Sequence, residues 1–214
     1  MCGRYTLHSS KEKLNQYYGT DTDADLKPRY NISPSTYCPI VRLNQDKREL
    51  AICKWGLIPH WIKADSKLKL KPINAKAETV REKPYFRSAF KNHRCLIPAN
   101  GYYEWKGEAG KKQPYYIYPS DDEFFTFAGL WESWDGPDKT IETFTIITTS
   151  ANKKASFIHD RMPVILSKDN FDVWISEGDQ ALLMPCNENM IEMSKVSSLV
   201  NKPGNDGESL IIAI

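Results

Sequence analysis

The chain has 214 residues, of which 41% are apolar and 26% charged, the balance of an ordinary globular protein with length to spare for a core. No apolar run approaches the roughly 18 residues of a membrane span, and the opening residues lack the apolar stretch of a secretory signal. The five cysteines (Cys2, Cys38, Cys53, Cys95, Cys186) form no CxxC pair and cannot all be bridged, which points to a reducing, cytoplasmic setting. The net charge of +2 conceals a split. Residues 1–107 carry 20 Lys and Arg against 10 Asp and Glu, and the rest of the chain holds the remaining 9 and 17. The stretch 63–94 is steepest, with ten basic residues opposed only by Asp65, Glu78 and Glu82. Such a split has two readings: one basic face for a polyanion, or two halves that interleave and neutralise each other.

In chain order, Ser9-x-x-Glu12 reads as a capping box opening a helix through about Tyr18. Short β-favouring runs then dominate, at 36–43, 50–56, 94–98, 101–106, 114–118, 124–132 and 142–149. Between them, Tyr85–Asn92 suits a short helix after Pro84, and 107–112 and 135–139 suit loop tips. Ser167 is placed to cap a helix over 169–176, with another over 179–184. There is no repeat or low-complexity linker. These elements predict one α+β domain over 1–214, with a mostly antiparallel sheet or partly closed barrel and short peripheral helices.

Candidate chemistry begins at Cys2. A small second residue permits removal of Met1, which would put an α-amine and a thiol on one residue. Their ordinary pKa values of about 7.7–8.0 and about 8.5 leave roughly a tenth of the amine free at pH 7. Such a 1,2-aminothiol condenses with an aldehyde to an imine, which the thiol closes to a thiazolidine. The same residue also admits an N-terminal-nucleophile amidohydrolase, with the amine as base for its own thiol, or a cysteine of no consequence beside the initiator.

Partners for such chemistry are few. His159, in Ile158-His-Asp-Arg-Met-Pro163, sits in a polar cluster before an apolar strand and reads as catalyst or surface residue. In Gly101-Tyr-Tyr-Glu-Trp-Lys106, strand alternation puts Tyr102, Glu104 and Lys106 on one face, where burial would suit Glu104 to proton transfer and exposure would leave it a plain surface carboxylate. Asn74, in Ile73-Asn-Ala-Lys-Ala-Glu-Thr79, is placed to orient a reacting group or to cap a helix. No HExxH, CxxC, Walker, GxGxxG or GxSxG pattern occurs, so neither metal nor cofactor is called for. Trp55, Trp61, Tyr85 and Trp105 interleave with basic residues, as stacking platforms for single-stranded nucleic acid do, although rings are also core material.

In order along the chain, Met1-Cys-Gly-Arg-Tyr5, Arg29-Tyr-Asn-Ile-Ser-Pro34, Trp55-Gly-Leu-Ile-Pro-His-Trp61, Ile73-Asn-Ala-Lys-Ala-Glu-Thr79, Gly101-Tyr-Tyr-Glu-Trp-Lys106, Lys112-Gln-Pro-Tyr-Tyr-Ile-Tyr118 and Ile158-His-Asp-Arg-Met-Pro163 resemble the SOS response-associated peptidase (SRAP) family of abasic-site processing proteins. The resemblance runs from residue 2 to about residue 200. It implies covalent capture of abasic sites in single-stranded DNA as a thiazolidine on Cys2, with Asn74, Glu104 and His159 as the family's other active-site residues. It further implies lyase activity as a side path and autopeptidase removal of Met1. Arg4, Trp61, Lys76, Arg161 and the basic loop after Trp61 match its DNA-contacting positions. Lys76 stands where the family usually has Arg, losing the bidentate fork to phosphate, and Ile62 where some relatives have a second Trp. A monomer with no membrane or metal partner is expected. The rivals are a non-catalytic single-stranded DNA binder and the small-amide hydrolase.

Overall fold

A computed structural model describes residues 2–63, 66, 70–108 and 110–214. Met1, whose removal the sequence leads one to expect, and most of the basic loop after Trp61 lie outside the described residues. The elements are β1 (Arg4–Leu7), α1 (Lys11–Tyr18), β2 (Arg29–Ile32), β3 (Tyr37–Asn44), β4 (Lys47–Trp55), β5 (Asn74–Lys76), α2 (Arg87–Asn92), β6 (Arg94–Ala99), β7 (Gly101–Lys106), β8 (Gln113–Pro119), β9 (Phe125–Asp135), β10 (Thr140–Ser150), α3 (Lys153–Ser156), β11 (Arg161–Pro163) and β12 (Ile191–Lys195). The α+β class expected from the pattern is the class observed, and all seven β-favouring runs are strands.

The differences lie in the short elements. The α1 cap is Ser10, whose side chain accepts from the Lys13 amide. Ser9 is instead drawn into bonds with Asn100 and Glu123. Where one helix was expected over 169–176, a 3-10 turn at Lys168–Asn170 is followed by a single π turn at Val173–Glu177. That turn is tied down by Arg94, whose guanidinium donates to the carbonyls of Trp174, Ile175 and Ser176 and to those of Phe90 and Lys91 at the end of α2. The segment expected as a helix over 179–184 is a 3-10 turn at Gln180–Leu182.

Two sheets organise the molecule. One runs β12-β8-β7-β1-β2. In the other, β9 pairs with both β6 and β10, and β10 pairs with β4, so β10-β4-β3-β6-β9 close into a ring. Most pairings are antiparallel, and those of β10 with β4 and β5 are parallel. The β3–β4 hairpin turns through Gln45 and Asp46, both at positive φ (49° and 63°), the twist that a two-residue hairpin needs. One face of the five-stranded sheet carries Tyr5, Tyr102 and Ile117 into the main core, where Tyr5 meets Trp55 edge-on and Tyr102 meets Phe127. The opposite face carries Tyr103 and Tyr116 into a smaller cluster with Val196, Val200 and Leu210. The C-terminal segment thus folds back over that second face. It also reaches both sheet edges: the Tyr30 amide on β2 donates to Asp206, and the Lys195 carbonyl on β12 accepts from the Ile214 amide.

Strand β7 is held in place by its first residue. A Cβ at Gly101 would lie 2.5 Å from the ring of Tyr116, which is buried and bonded through its hydroxyl to Thr6. Gly101→Ala is therefore expected to lower stability by about 1–3 kcal/mol through overpacking. A urea-unfolding midpoint unchanged from the wild-type value would refute this.

Candidate active site

Cys2 immediately precedes β1 and is fully buried. Its carbonyl accepts a 2.9 Å hydrogen bond from the Asn74 carboxamide. Asn74 opens β5, a three-residue strand that exists because the buried strand β10 offers it a parallel ladder, Asn74 opposite Ile146 and Lys76 opposite Thr148. The cap reading of Asn74 is thus replaced by a strand position. Asn74 Oδ1 is buried with no hydrogen-bond partner among the described residues, an acceptor held ready where the neighbouring residue is Cys2.

Alternation along β7 works as read from the sequence. Tyr102 and Glu104 point to the core face and are buried, with Glu104 only 4% exposed. The thiol of Cys2 is pushed well above its ordinary pKa, first by burial and then by the negative charge of Glu104. The Tyr102 hydroxyl is likewise pushed up, by burial and then by Cys2 and Glu104. Cys2, Tyr102 and Glu104 therefore form one buried group in which the thiol is held neutral and a carboxylate stands beside it.

His159 lies in the turn between α3 and β11. Phe157, two residues earlier, meets Tyr115 edge-on (centroids 6.2 Å apart), and Tyr115 is the cross-strand partner of Glu104. Cross-strand partners share a face, so the turn bearing His159 lies over the sheet face that carries Glu104. His159 Nδ1 accepts from the Arg161 amide at 3.0 Å and also lies 2.7 Å from Asp160 Oδ1. One nitrogen cannot serve both. Asp160 is 85% exposed, so its ion pair with the ring is screened by water.

The residues matched to DNA contacts scatter more widely. Arg161 donates to both oxygens of Glu78 (2.5 and 2.9 Å) and to the Thr148 carbonyl, so it ties the loop after β5 to β10. Glu78, a partner that sequence reading missed, is signalled only by an acid two residues after Lys76. Lys76 is exposed, on the strand that begins with Asn74. Arg4 is opposite Tyr103 in register, on the face away from Glu104, where it donates to Asn31 and to the carbonyls of Val200 and Asn201. The structure thus does not bring the Arg4 guanidinium to the Cys2–Glu104 face. Trp61, 49% exposed, stands edge-on to Tyr85 on a loop fastened by Trp134 and by a 3.0 Å contact of His60 with Glu132. It lines a groove of about 1170 Å³ with Arg81, Arg87 and Lys91; none of Cys2, Asn74, Glu104 or His159 lines that groove.

The interleaving reading of the charge split accounts for four ion pairs among the described residues, and the groove beside Trp61 is lined by Glu177 and Asp179 as well as by basic residues. Lys13–Glu123, Arg29–Asp206, Arg42–Glu142 and Arg48–Asp172 each join a first-half cation to a second-half anion. Arg81, Arg87 and Lys91 gather along the groove instead. Among the described residues, no group of His, Cys, Asp or Glu is arranged to hold a metal ion.

Comparison with known proteins bears on this arrangement. The family model of the SOS response associated peptidase (SRAP) matches residues 1–203. The chain is 40% identical to abasic site processing protein YoqW of Bacillus subtilis (strain 168), over 99% of both chains. It is 33% identical to abasic site processing protein HMCES of Xenopus tropicalis, over 91% of this chain and 69% of that one. A crystal structure of a protein from Bacteroides thetaiotaomicron superposes with a TM-score of 0.90 and 28% identity, covering all of both chains. With a family match across nearly its whole length and a relative of this similarity, the chain belongs to the SOS response associated peptidase (SRAP) family.

Proposed function

We propose that this protein captures abasic sites in single-stranded DNA by covalent bonding to Cys2, a reading supported by its similarity to proteins named abasic site processing proteins. The observation that carries the reading is the buried Cys2 thiol beside the Glu104 carboxylate, with the Cys2 carbonyl held by Asn74. Loss of Met1 frees the α-amine: the Cys2 thiol attacks the preceding carbonyl, the peptide C–N bond breaks as the nitrogen takes up a proton, and water hydrolyses the resulting thioester to methionine and the free thiol. The amine adds to the C1′ aldehyde of the ring-opened sugar, and the carbinolamine loses water to give an imine. The thiol then adds to the imine carbon: the S–C bond forms, the C=N π pair becomes the nitrogen lone pair, and the thiol proton moves to nitrogen. The net change is aldehyde plus aminothiol to thiazolidine plus water.

Each neighbour has a task in this scheme. A neutral thiol needs a base, and Glu104 takes the proton from sulfur and returns it to nitrogen. Asn74 Oδ1 accepts from the Cys2 nitrogen and orients it toward the aldehyde. With Nδ1 accepting from the Arg161 amide, His159 offers its Nε2 proton to the ring oxygen as the sugar opens or to the departing water. The same imine permits strand cleavage by β-elimination as a side path. Lys76 and Arg161 serve the phosphates on either side, Arg161 exchanging the Glu78 carboxylate for a phosphate of the same charge sign. Trp61 offers a ring for stacking, and Arg4 acts at a distance by fixing β1 and so the position of Cys2.

The direct test is a denaturing gel with an abasic oligonucleotide. Wild-type protein should give a heat-stable adduct, Cys2→Ser only a labile imine that needs borohydride trapping, and a residue added before Cys2 neither. A heat-stable adduct from Cys2→Ser at wild-type yield would end the thiazolidine reading. Binding without any adduct would leave a single-stranded DNA binder, and neither binding nor adduct would favour the small-amide hydrolase.

Glu104→Gln should slow adduct formation by roughly 10²–10⁴-fold. The same change removes the charge that raises the thiol pKa, so the pH dependence of Cys2 alkylation should move to lower pH. Unchanged adduct kinetics would remove Glu104 from the mechanism. Arg161→Ala should reduce the log–log salt slope for a non-abasic oligonucleotide by about 0.7, one phosphate contact. An unchanged slope would restrict Arg161 to its tie with Glu78 and Thr148.

A further inference from the structure

A single exposed aromatic residue needs no explanation. Phe157 differs in its surroundings. It is 56% exposed, its ring is met edge-on by Tyr115, and Lys106 Nζ lies 3.0 Å from its centroid. Register places all these groups on one sheet face. Tyr115 is opposite Glu104 on β7 and opposite Lys195 on β12, and Lys106 follows Glu104 by two residues, about 7 Å along the strand. The face that buries Glu104 beside Cys2 therefore continues outward into an exposed ring with the Lys106 ammonium over it, and Lys195 stands on the same face opposite Tyr115. Neither lysine makes an ion pair among the described residues. Their charge is not spent within the fold, as that of Arg161 is.

We propose that Phe157 is a stacking platform for a nucleobase next to the captured sugar, with Lys106 and Lys195 receiving the phosphates on either side of that base. A nucleobase fits because it offers what this surface lacks: a flat π-face for the exposed part of the ring, and anions for the two lysines of this face. The platform lies along the strand from Glu104, so it serves the strand to one side of the lesion. Trp61 and the basic groove are on a different wall. The proposal rests on the single-stranded DNA reading and adds binding residues to it.

The test uses full-length protein and oligonucleotides carrying an abasic analogue that cannot open to an aldehyde, so that binding is measured without capture. Phe157→Ala should weaken binding roughly five- to 150-fold and leave the salt slope unchanged. Phe157→Trp should restore wild-type affinity. Lys106→Gln with Lys195→Gln should lower the log–log salt slope by about 1.4. Trimming the oligonucleotide to the lesion on one side should erase the Phe157→Ala effect, and trimming the other side should preserve it. Wild-type affinity in Phe157→Ala, at an unchanged melting temperature, would overturn the platform. So would a loss that Phe157→Trp does not restore. Adduct formation by the wild-type protein on an ordinary abasic oligonucleotide is scored separately. Its absence, with the Phe157 effect present, would overturn the capture chemistry and keep the platform; its presence with no Phe157 effect would do the reverse.

Discussion

Strand β10 must satisfy its backbone on both sides along eleven residues, nearly all of them buried in the second half. A buried N–H or carbonyl left alone costs about as much as a lost hydrogen bond. Strand β9 covers one side of the first seven residues and β4 only two positions on the other. The remainder has to be completed by whatever lies nearby. Two three-residue strands do so, β5 beside Ile146–Thr148 and β11 beside Thr148–Ser150. Neither is long enough to be a stable strand alone. Asn74 and Arg161 hold their places because β10 needs partners there, and the Thr148 carbonyl gathers both pieces by accepting from the Ala77 amide and from Arg161.

A second constraint is the burial of the Cys2 thiol beside the Glu104 carboxylate. Moving a carboxylate and a thiol out of water favours their neutral forms. Burial first and the negative charge of Glu104 second displace the Cys2 thiol upward and not toward a ready thiolate. A resting nucleophile of this kind is protected from adventitious oxidation and alkylation, because only the thiolate reacts quickly. In the proposed capture, proton removal is deferred until a substrate brings the electrophile. The Asn74 amide fixes the Cys2 carbonyl meanwhile, so the geometry is set before the charge develops.

The sequence made some of this legible and hid the rest for definable reasons. Alternation in Tyr102–Lys106 is a local property, so the shared face of Tyr102, Glu104 and Lys106 was readable directly. The strands with long β-favouring runs were readable for the same reason. The strands missed, β1, β2, β5 and β12, are short and owe their existence to partners distant in sequence, and the apolar strand expected over 163–166 is observed instead as β11 at Arg161–Pro163. The α1 cap moved from Ser9 to Ser10 because Asn100 and Glu123 compete for the Ser9 hydroxyl. Arg4 matches a family position, yet nothing local reveals that its strand turns it toward Val200. Likewise Glu78 becomes visible as Arg161's partner only when β5 and β11 meet on β10.

The fold-back of the C-terminal segment has a consequence for association between copies. The barrel strands close on themselves, so apart from the three-residue β5 and β11 it is the five-stranded sheet that would offer unpaired strand edges, at β2 and at β12. Open edges of this kind invite another chain to extend the sheet. One segment blunts both. Asp206 occupies the Tyr30 amide and holds Arg29 by a 2.8 Å ion pair, while Ala213 bridges Val196 and Ile214 caps Lys195. Residues remote from the chemistry thus guard the sheet that carries it. Loosening them would turn the scaffold of Glu104 into a template for edge-to-edge addition long before it disturbed Cys2.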